Sequence, residues 1–174
     1  FNAMVGGLKD REARLTHMAL HDQETGLPNR RMLERQVART AGARVIAVSV
    51  DRYEVVRNAI GHDAMGQLIQ TLGMRLAALS GGEQIARIGA DALGLVLGGD
   101  EPGRIEPTVL RLLEAAQAPI TVAGAPVDVG ITVGVADRGG AGAHIDSAID
   151  RAAIAVDQAR AARRTWMAFD ETTY

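Results

Sequence analysis

Residues 84–97 read QIARIGADALGLVL, and this stretch decides the type of fold. Two short apolar runs, 84–88 and 93–97, are separated only by Gly89-Ala90-Asp91-Ala92, so the pattern predicts a β-hairpin. A hairpin pairs its strands antiparallel, whereas a doubly wound parallel sheet has a helix between successive strands. The stretch therefore favours a sheet that is at least partly antiparallel.

The segments around the hairpin predict helices and further strands. Residues 44–51 form a β-branched run that is apolar on both faces, which is typical of a central buried strand. A second strand pair is predicted from residues 120–122 and 127–135, turned at Gly124-Ala125-Pro126. Helices are predicted from Asn29 to about Thr40 and over 52–60, 63–79, 105–116 and 145–163, and a short strand over 165–169.

This order of elements places hairpins between helices. It predicts an α+β fold, with a mixed, largely antiparallel sheet of about five strands plus short extras, covered by helices.

Composition excludes several classes of function. The chain has 174 residues, a net charge of −2 and no cysteine. Without an excess of cations a dedicated nucleic-acid binder is not expected, and without cysteine there is no disulfide, thiolate metal site or cysteine nucleophile. No apolar run reaches the length of a membrane span. These features favour a cytoplasmic, reducing compartment.

The first twenty residues are interpreted as separate from the domain. Residues 1–4 resemble an expression-tag scar, residues 5–20 a linker helix, and the domain is predicted over residues 21–174. The linker is too short to decide between a coiled coil and a helix docked on the domain. One helical stripe of it is apolar: Leu8, Leu15, Met18 and Ala19.

Residues 21–31 read HDQETGLPNRR, which resembles the opening signature of the GGDEF family, roughly H-D-x-L-T-G-L-P-N-R-R. Further pieces follow in the family's order and spacing: Asp51-Arg52-Tyr53, Gly61-His62, residues 87–93 and residues 129–135. The resemblance implies a fold similar to nucleotidyl cyclases and polymerase palm domains, with a ferredoxin-like core. It also implies diguanylate cyclase activity, in which two GTP molecules are joined into cyclic di-GMP across a homodimer with two metal ions.

The carboxylates that the resemblance requires are only partly present. Ala92 stands at the position of the family's catalytic glutamate, and Ser49 at that of a metal-binding aspartate. Asp91 keeps a carboxylate, which is interpreted equally as a metal ligand or as a turn former. Asp51 should face the same side of its strand as Ser49, which makes it a weak substitute ligand.

The nucleotide contacts that the resemblance implies are also altered. Arg57 and Gly66 replace an asparagine and an aspartate that read guanine, Glu54 replaces a phosphate-binding lysine, and the hairpin positions Gly89 and Ala90 remain. Arg160 and Arg164 match the lysine and arginine that hold phosphate, although cations at the end of a helix also complement its dipole. Ser80 and Glu83 stand at the inhibitory R-x-x-D motif, which therefore lacks its arginine.

Together these departures predict a degenerate GGDEF domain that acts as a regulatory or interaction module in bacterial cyclic di-GMP signalling, with GTP binding left open. The alternatives are an active cyclase with a non-standard metal site, and a nucleotide-independent dimerisation module. Mg²⁺ is expected only with a bound nucleotide. The resemblance further implies a homodimer and neighbouring domains, an EAL phosphodiesterase or a sensor, in a larger protein.

Overall fold

The computed structural model describes residues 2–80, 84–99, 102–139 and 145–171. The helices are α1 (Asn2–Leu20), α2 (Arg30–Arg39), α3 (Tyr53–Ile60), α4 (His62–Leu79), α5 (Ile105–Ala115) and α6 (Ile145–Ala161). The strands are β1 (Arg44–Val50), β2 (Ala86–Gly89), β3 (Ala92–Leu97), β4 (Ile120–Val122), β5 (Ala125–Val127), β6 (Ile131–Asp137) and β7 (Trp166–Ala168).

Five strands form the main sheet in the order β2-β3-β1-β6-β7. The neighbours β2–β3, β3–β1 and β1–β6 are antiparallel, and β6–β7 is parallel. The predicted hairpin is the β2–β3 pair, and its register shifts between Arg87 and Gly89. The predictions of a mixed, largely antiparallel sheet and of an α+β fold are therefore confirmed.

The sheet lies between two layers of helices, and its central strand β1 is therefore buried on both faces. Val45 and Ala47 pack in a cluster with α2 and α6, whereas Ile46, Val48 and Val50 pack in a second cluster with α4 and α5. Alternate side chains of a strand point to opposite faces of the sheet. Ser49 is an even number of residues from Val45 and Ala47, so its side chain points to the same face of the sheet, which is the α6 face.

A glycine in β6 lets α6 approach the sheet closely. A Cβ atom at Gly134 would lie 2.6 Å from the Val156 backbone nitrogen and would also overlap the Ala152 carbonyl oxygen. Only a glycine fits between two backbones at this separation. The contact fixes the position of α6, whose last turn carries Arg160, against the central strands.

The prediction for the second strand pair was wrong in its partner. The strand at Ile120–Val122 pairs with Ala125–Val127, and β6 begins separately at Ile131 within the main sheet. The two central turn residues, Ala123 and Gly124, have φ angles of 52° and 81°. A two-residue hairpin turn with both φ angles positive suits the twist of the strands, so the chain turns earlier than the Gly124-Ala125-Pro126 sequence indicates.

The helix α1 presents apolar side chains to solvent. Leu8, Leu15 and Met18 are each more than half exposed. Its end is joined to α2 through Asn29, whose amide nitrogen donates to the Leu20 carbonyl oxygen at 2.9 Å and whose side chain caps α2 at the Met32 amide.

Among the described helices, none has the length and apolar character needed to cross a membrane. The domain boundary at residue 21 stays a prediction.

Candidate functional site

The end of β1 and the β2–β3 hairpin meet where the resemblance places carboxylates. Ser49 is the direct cross-strand partner of Ala92, and the Val50 amide donates to the Asp91 carbonyl oxygen at 2.8 Å. Directly opposed residues of an antiparallel pair are nearest neighbours. The two positions at which the resemblance implies carboxylates therefore face each other as a hydroxyl group and a methyl group.

Arg160, in the last turn of α6, reaches this point with its guanidinium. Its Nη2 atom donates to Ser49 Oγ and to Asp51 Oδ1, each at 3.0 Å, and to the Val50 carbonyl oxygen at 3.4 Å. The Nε atom lies 3.3 Å from the same Asp51 oxygen. Ser49 and Asp51 thus lie on the same side of the strand, and Arg160 binds both.

Both nearby carboxylates are engaged within the chain. Asp51 Oδ1 also accepts a hydrogen bond of 2.7 Å from Thr132 Oγ1 in β6, and Asp91 Oδ2 accepts one of 3.2 Å from Ser49 Oγ. Asp91 lies in the hairpin turn, so its backbone forms the turn while its carboxylate binds the end of β1. Ser49 is the link, since its hydroxyl accepts from Arg160 and donates to Asp91.

This arrangement does not fit a two-metal centre. Divalent Mg²⁺ needs carboxylate ligands around an open position, and here Ser49 and Ala92 supply none. A permanently protonated guanidinium stands among the oxygens that remain. Within the described ranges, no group of three or more His, Asp or Glu side chains could hold a metal ion.

At the guanine-reading positions the structure shows contacts within the chain. Arg57 is partly exposed on α3, and its Nη1 atom lies 3.5 Å from Glu54 Oε2. Gly66 is buried in α4, and a Cβ atom there would lie 3.1 Å from Glu24 Oε1 and 3.2 Å from Glu24 Cγ. Glu24 replaces the leucine of the opening signature. The carboxylate of Glu24 therefore fills the space that a side chain at position 66 would take.

The other predicted binding residues lie apart from this point. Arg164 follows α6 and is exposed, and its side chain has no polar partner among the residues that the structure describes. Gly89 and Ala90 lie at the exposed hairpin tip, beside an open cleft of about 430 Å³. Ser80 caps α4 by donating from Oγ to the Ala77 carbonyl oxygen at 3.0 Å, and Glu83 lies outside the described residues.

A second arginine, Arg87 in β2, organises the loop before α2. Its side chain is only 7% exposed, and Nη1 pairs with Asp22 Oδ2 at 3.0 Å and with Glu24 Oε2 at 3.2 Å. The guanidinium also donates to the carbonyl oxygens of Gly89 and Ala90. Arg87 thus ties the opening signature to the hairpin.

Ionisation of this network follows from its contacts. Burial disfavours the charged form of Asp22, but hydrogen bonds from Thr25 and Arg87 outweigh it and hold the pKa of Asp22 below its ordinary value. Burial likewise disfavours charge on Arg87, yet Asp22 and Glu24 keep its pKa above the ordinary range. Asp22 and Arg87 are therefore a charged pair near neutral pH.

The sequence contained signals for the contacts that were not predicted. Arg87 belongs to the hairpin motif, and Glu24 departs from the opening signature, but neither was assigned a role. The partners Asp22 and Arg87 are 65 positions apart, and Asp51 and Arg160 are 109 apart. Only the fold brings these pairs together.

Comparison with known proteins gives the family directly. The family model described as "Diguanylate cyclase, GGDEF domain" matches residues 19–165. Diguanylate cyclase TpbB of Pseudomonas aeruginosa is 29% identical over 143 residues, which is 74% of this chain and 32% of TpbB. Cyclic di-GMP phosphodiesterase NbdA of the same species is 25% identical over 172 residues, which is 94% of this chain and 22% of NbdA.

Solved structures agree on the fold. The coiled coil and GGDEF domain of DgcB from Caulobacter crescentus, solved with c-di-GMP, aligns with a TM-score of 0.80 at 19% identity. The alignment covers 96% of this chain and 94% of that one. The chain spans about a third or less of the length of the two curated relatives. The match to the family model extends over most of the sequence, and the chain belongs to the GGDEF domain family.

Proposed function

We propose that this chain is a non-cyclising GGDEF domain that acts as a regulatory or interaction module in cyclic di-GMP signalling. The observation that carries the proposal is the cross-strand pair of Ser49 and Ala92 at the end of β1. Neither side chain can bind a divalent cation as a carboxylate does, and neither is a strong proton acceptor. Two of the acidic groups that the resemblance implies at this place are therefore absent, and Asp91 is the one that remains.

The size of the expected effect supports loss of activity. Phosphoryl transfer depends almost entirely on positioning and on neutralising charge in the transition state. Removing one preorganised electrostatic group commonly lowers the rate by about 10²–10³. Here two carboxylate positions are altered together, and Glu54 places a negative charge where a phosphate contact is expected. Residual turnover should therefore be undetectable.

A regulatory role follows from what such a domain retains. The fold is retained, so the surface that a partner or a neighbouring domain recognises can persist without catalysis. One relative that aligns with nearly the whole chain is named a cyclic di-GMP phosphodiesterase and is far longer. We therefore place this domain in the cytoplasm beside a phosphodiesterase or sensor domain of the same polypeptide.

The test combines a titration with product analysis. The purified chain is titrated with GTP and Mg²⁺ in a calorimeter, and the solution in the calorimeter cell is then analysed for cyclic di-GMP. An active GGDEF cyclase serves as the control. We expect the GTP to remain unchanged. Binding of GTP without product would indicate a nucleotide-responsive regulator, whereas no binding of GTP would indicate an interaction scaffold. Ala92→Glu alone should also form no product, because Ser49 remains. Robust cyclic di-GMP from the wild type would overturn the proposal.

The rival enzyme hypothesis uses Asp51 and Asp91 as relocated metal ligands. It requires wild-type turnover that disappears in Asp91→Ala. An inert wild type, or a mutant that remains as active as the wild type, removes this rival.

The exposed apolar stripe on α1 supports a second candidate, nucleotide-independent dimerisation. Leu8 and Leu15 are 55% and 60% exposed, so glutamate at both positions should leave the domain folded. If the stripe drives association, light scattering will show a dimer for the wild type and a monomer for Leu8→Glu/Leu15→Glu. Equal masses would exclude the stripe as the dimer contact.

A further inference from the structure

The Glu24 side chain reaches from the loop between α1 and α2 to the surface of α4. A Cβ atom added at Gly66 would lie 3.1 Å from Glu24 Oε1 and 3.2 Å from Glu24 Cγ. The carboxylate of an aspartate is bonded directly to its Cβ, so an aspartate at position 66 and the present Glu24 would compete for the same small space. The chain therefore keeps a carboxylate beside position 66, but supplies it from the opening loop instead of from α4.

We propose that Glu24 determines the specificity of a guanine-binding site: its carboxylate accepts the N1–H and 2-amino N–H groups of a guanine base. Guanine presents these two donors side by side, and a carboxylate is an acceptor with two oxygens. Adenine has an acceptor at N1, which a carboxylate repels. The inference rests on the proposed function for the location of the site, and it names the class of ligand that the site takes.

One oxygen of the Glu24 carboxylate is fixed and the other is open to a ligand. Oε2 lies 3.2 Å from Arg87 Nη1, and the Arg87 side chain is only 7% exposed, so the arginine holds the carboxylate in place. Within the described ranges, no hydrogen bond to Oε1 is formed. Arg87 also has Asp22 at 3.0 Å as a carboxylate partner. Glu24 is thus preorganised, with accepting capacity that the ion pair leaves unused.

Solvent and a ligand can reach Glu24. Its side chain is 31% exposed, and it lines the open cleft of about 430 Å³ together with Arg31 and the hairpin residues Gly89 and Ala90. Small-molecule sites have volumes of roughly 300–1,000 Å³. The cleft therefore has room for a purine base whose hydrogen-bonding edge meets the Glu24 carboxylate.

The competing explanation is that Glu24 serves only as a second partner for Arg87. A purely structural carboxylate gives the chain no reason to distinguish one purine from another. A carboxylate that accepts two hydrogen bonds from guanine should favour guanine over adenine by about tenfold or more, as bidentate contacts to a base edge do. The two explanations therefore differ in base preference, which can be measured without turnover.

The experiment titrates the full 174-residue chain with GMP, IMP and AMP in EDTA. Binding is followed by NMR from the C8 proton signal of each nucleotide. The wild type should bind GMP most tightly, then IMP, which lacks the 2-amino group, and AMP most weakly. Glu24→Gln should bind GMP and AMP equally. This variant should still melt cooperatively, because Arg87 keeps Asp22.

Glu34→Gln is the matched control. Glu34 also pairs with an arginine, Arg30, at 3.2 Å, and its side chain is 35% exposed, but it lies on α2 and does not contact position 66. Its removal should leave the preference for GMP unchanged. Glu24→Leu/Gly66→Asp returns the carboxylate to α4 and should regain the preference that Glu24→Gln loses.

GTP and cyclic di-GMP both carry guanine and are titrated in the same way. Both should bind more weakly to Glu24→Gln, and the tighter of the two in the wild type identifies the source of the base. A wild type that binds GMP no better than AMP, or binds neither, would overturn the proposal, and this result needs no variant to fold. A folded Glu24→Gln that retains the preference would also overturn it. Because GMP has no triphosphate to transfer, cyclic di-GMP formation from GTP would refute the proposed function separately.

Discussion

Two arginines, Arg87 and Arg160, each bind carboxylates beside the same hairpin, but in different surroundings. Arg87 is almost wholly buried and binds Asp22 and Glu24 at 3.0 and 3.2 Å, whereas Arg160 is about one-third exposed and binds Asp51. Arg87 and Asp22 belong to motifs that match the family, and they hold the opening loop against the hairpin. Arg160 lies beside Ser49, a position at which the resemblance implies a carboxylate.

The difference shows that the scaffold and the chemistry of this domain are separable. The Arg87 network depends on a buried charge that needs all its partners, so its loss should affect folding. The Arg160 cluster is partly hydrated and can change without loss of the fold. The architecture therefore depends on the Arg87 network more than on the residues beside Arg160.

The largest effect on the free energy of unfolding should come from removing Arg87, which holds the opening loop against the hairpin. Arg87→Met leaves Asp22 and Glu24 without their shared cation and the Gly89 and Ala90 carbonyl oxygens without a donor. Because both carboxylates are partly exposed and can be hydrated, we expect the free energy of unfolding to fall by about 3 kcal/mol. Urea denaturation measures this change.

The control for Arg87→Met is Arg57→Met, which removes a partly exposed arginine and should change stability by less than about 0.5 kcal/mol. Equal losses in the two variants would show that the Arg87 network is no more important to the fold than a surface pair.

A smaller effect is expected where Glu24 meets Gly66. Gly66→Asp inserts a side chain 3.1 Å from Glu24 Oε1 and brings a second carboxylate beside the first. Overpacking and repulsion should reduce the free energy of unfolding by about 1–3 kcal/mol. The loss should be smaller when Glu24→Leu is present, and a double-mutant cycle measures the coupling. Additive losses would mean that the two positions do not interact.

The smallest effect is the pH dependence due to Asp22. Its pKa is lower in the folded state than the ordinary value of 3.8, so the unfolded chain binds the proton more tightly. The stabilisation is therefore complete above about pH 5 and is lost as the pH falls through the folded-state pKa. Unfolding curves of the wild type and Asp22→Asn should differ most near neutral pH and converge in acid. A difference that does not vary with pH would contradict this assignment.

The fold was predictable because its signals are local. The β-branched run before Asp51, the cap at Asn29 and the short hairpin at Gly89 each determine their own element, and their order restricts the sheet to a largely antiparallel one. The prediction of the strand pair that contains β4 was wrong because the chain turns at Ala123, which adopts a positive φ. Alanine gives no signal for that conformation.

The site was only partly predictable. That Ser49 and Ala92 carry no carboxylate and that Asp91 does could be read from single positions, and their roles stay predictions. Which side chains surround these positions depends on distant segments, since Arg160 reaches β1 from the last helix and Glu24 reaches α4 from the opening loop. Such contacts depend on packing angles and side-chain lengths that the sequence pattern does not specify.

The central claim is that the fold persists while the chemistry is absent, and one measurement on a single sample tests both. The purified chain is shown to be folded by circular dichroism and cooperative melting, then incubated with GTP and Mg²⁺ and analysed by mass spectrometry. The account predicts a cooperatively folded protein, unchanged GTP and no cyclic di-GMP above the buffer control. Cyclic di-GMP that accumulates in proportion to protein concentration and time would contradict it.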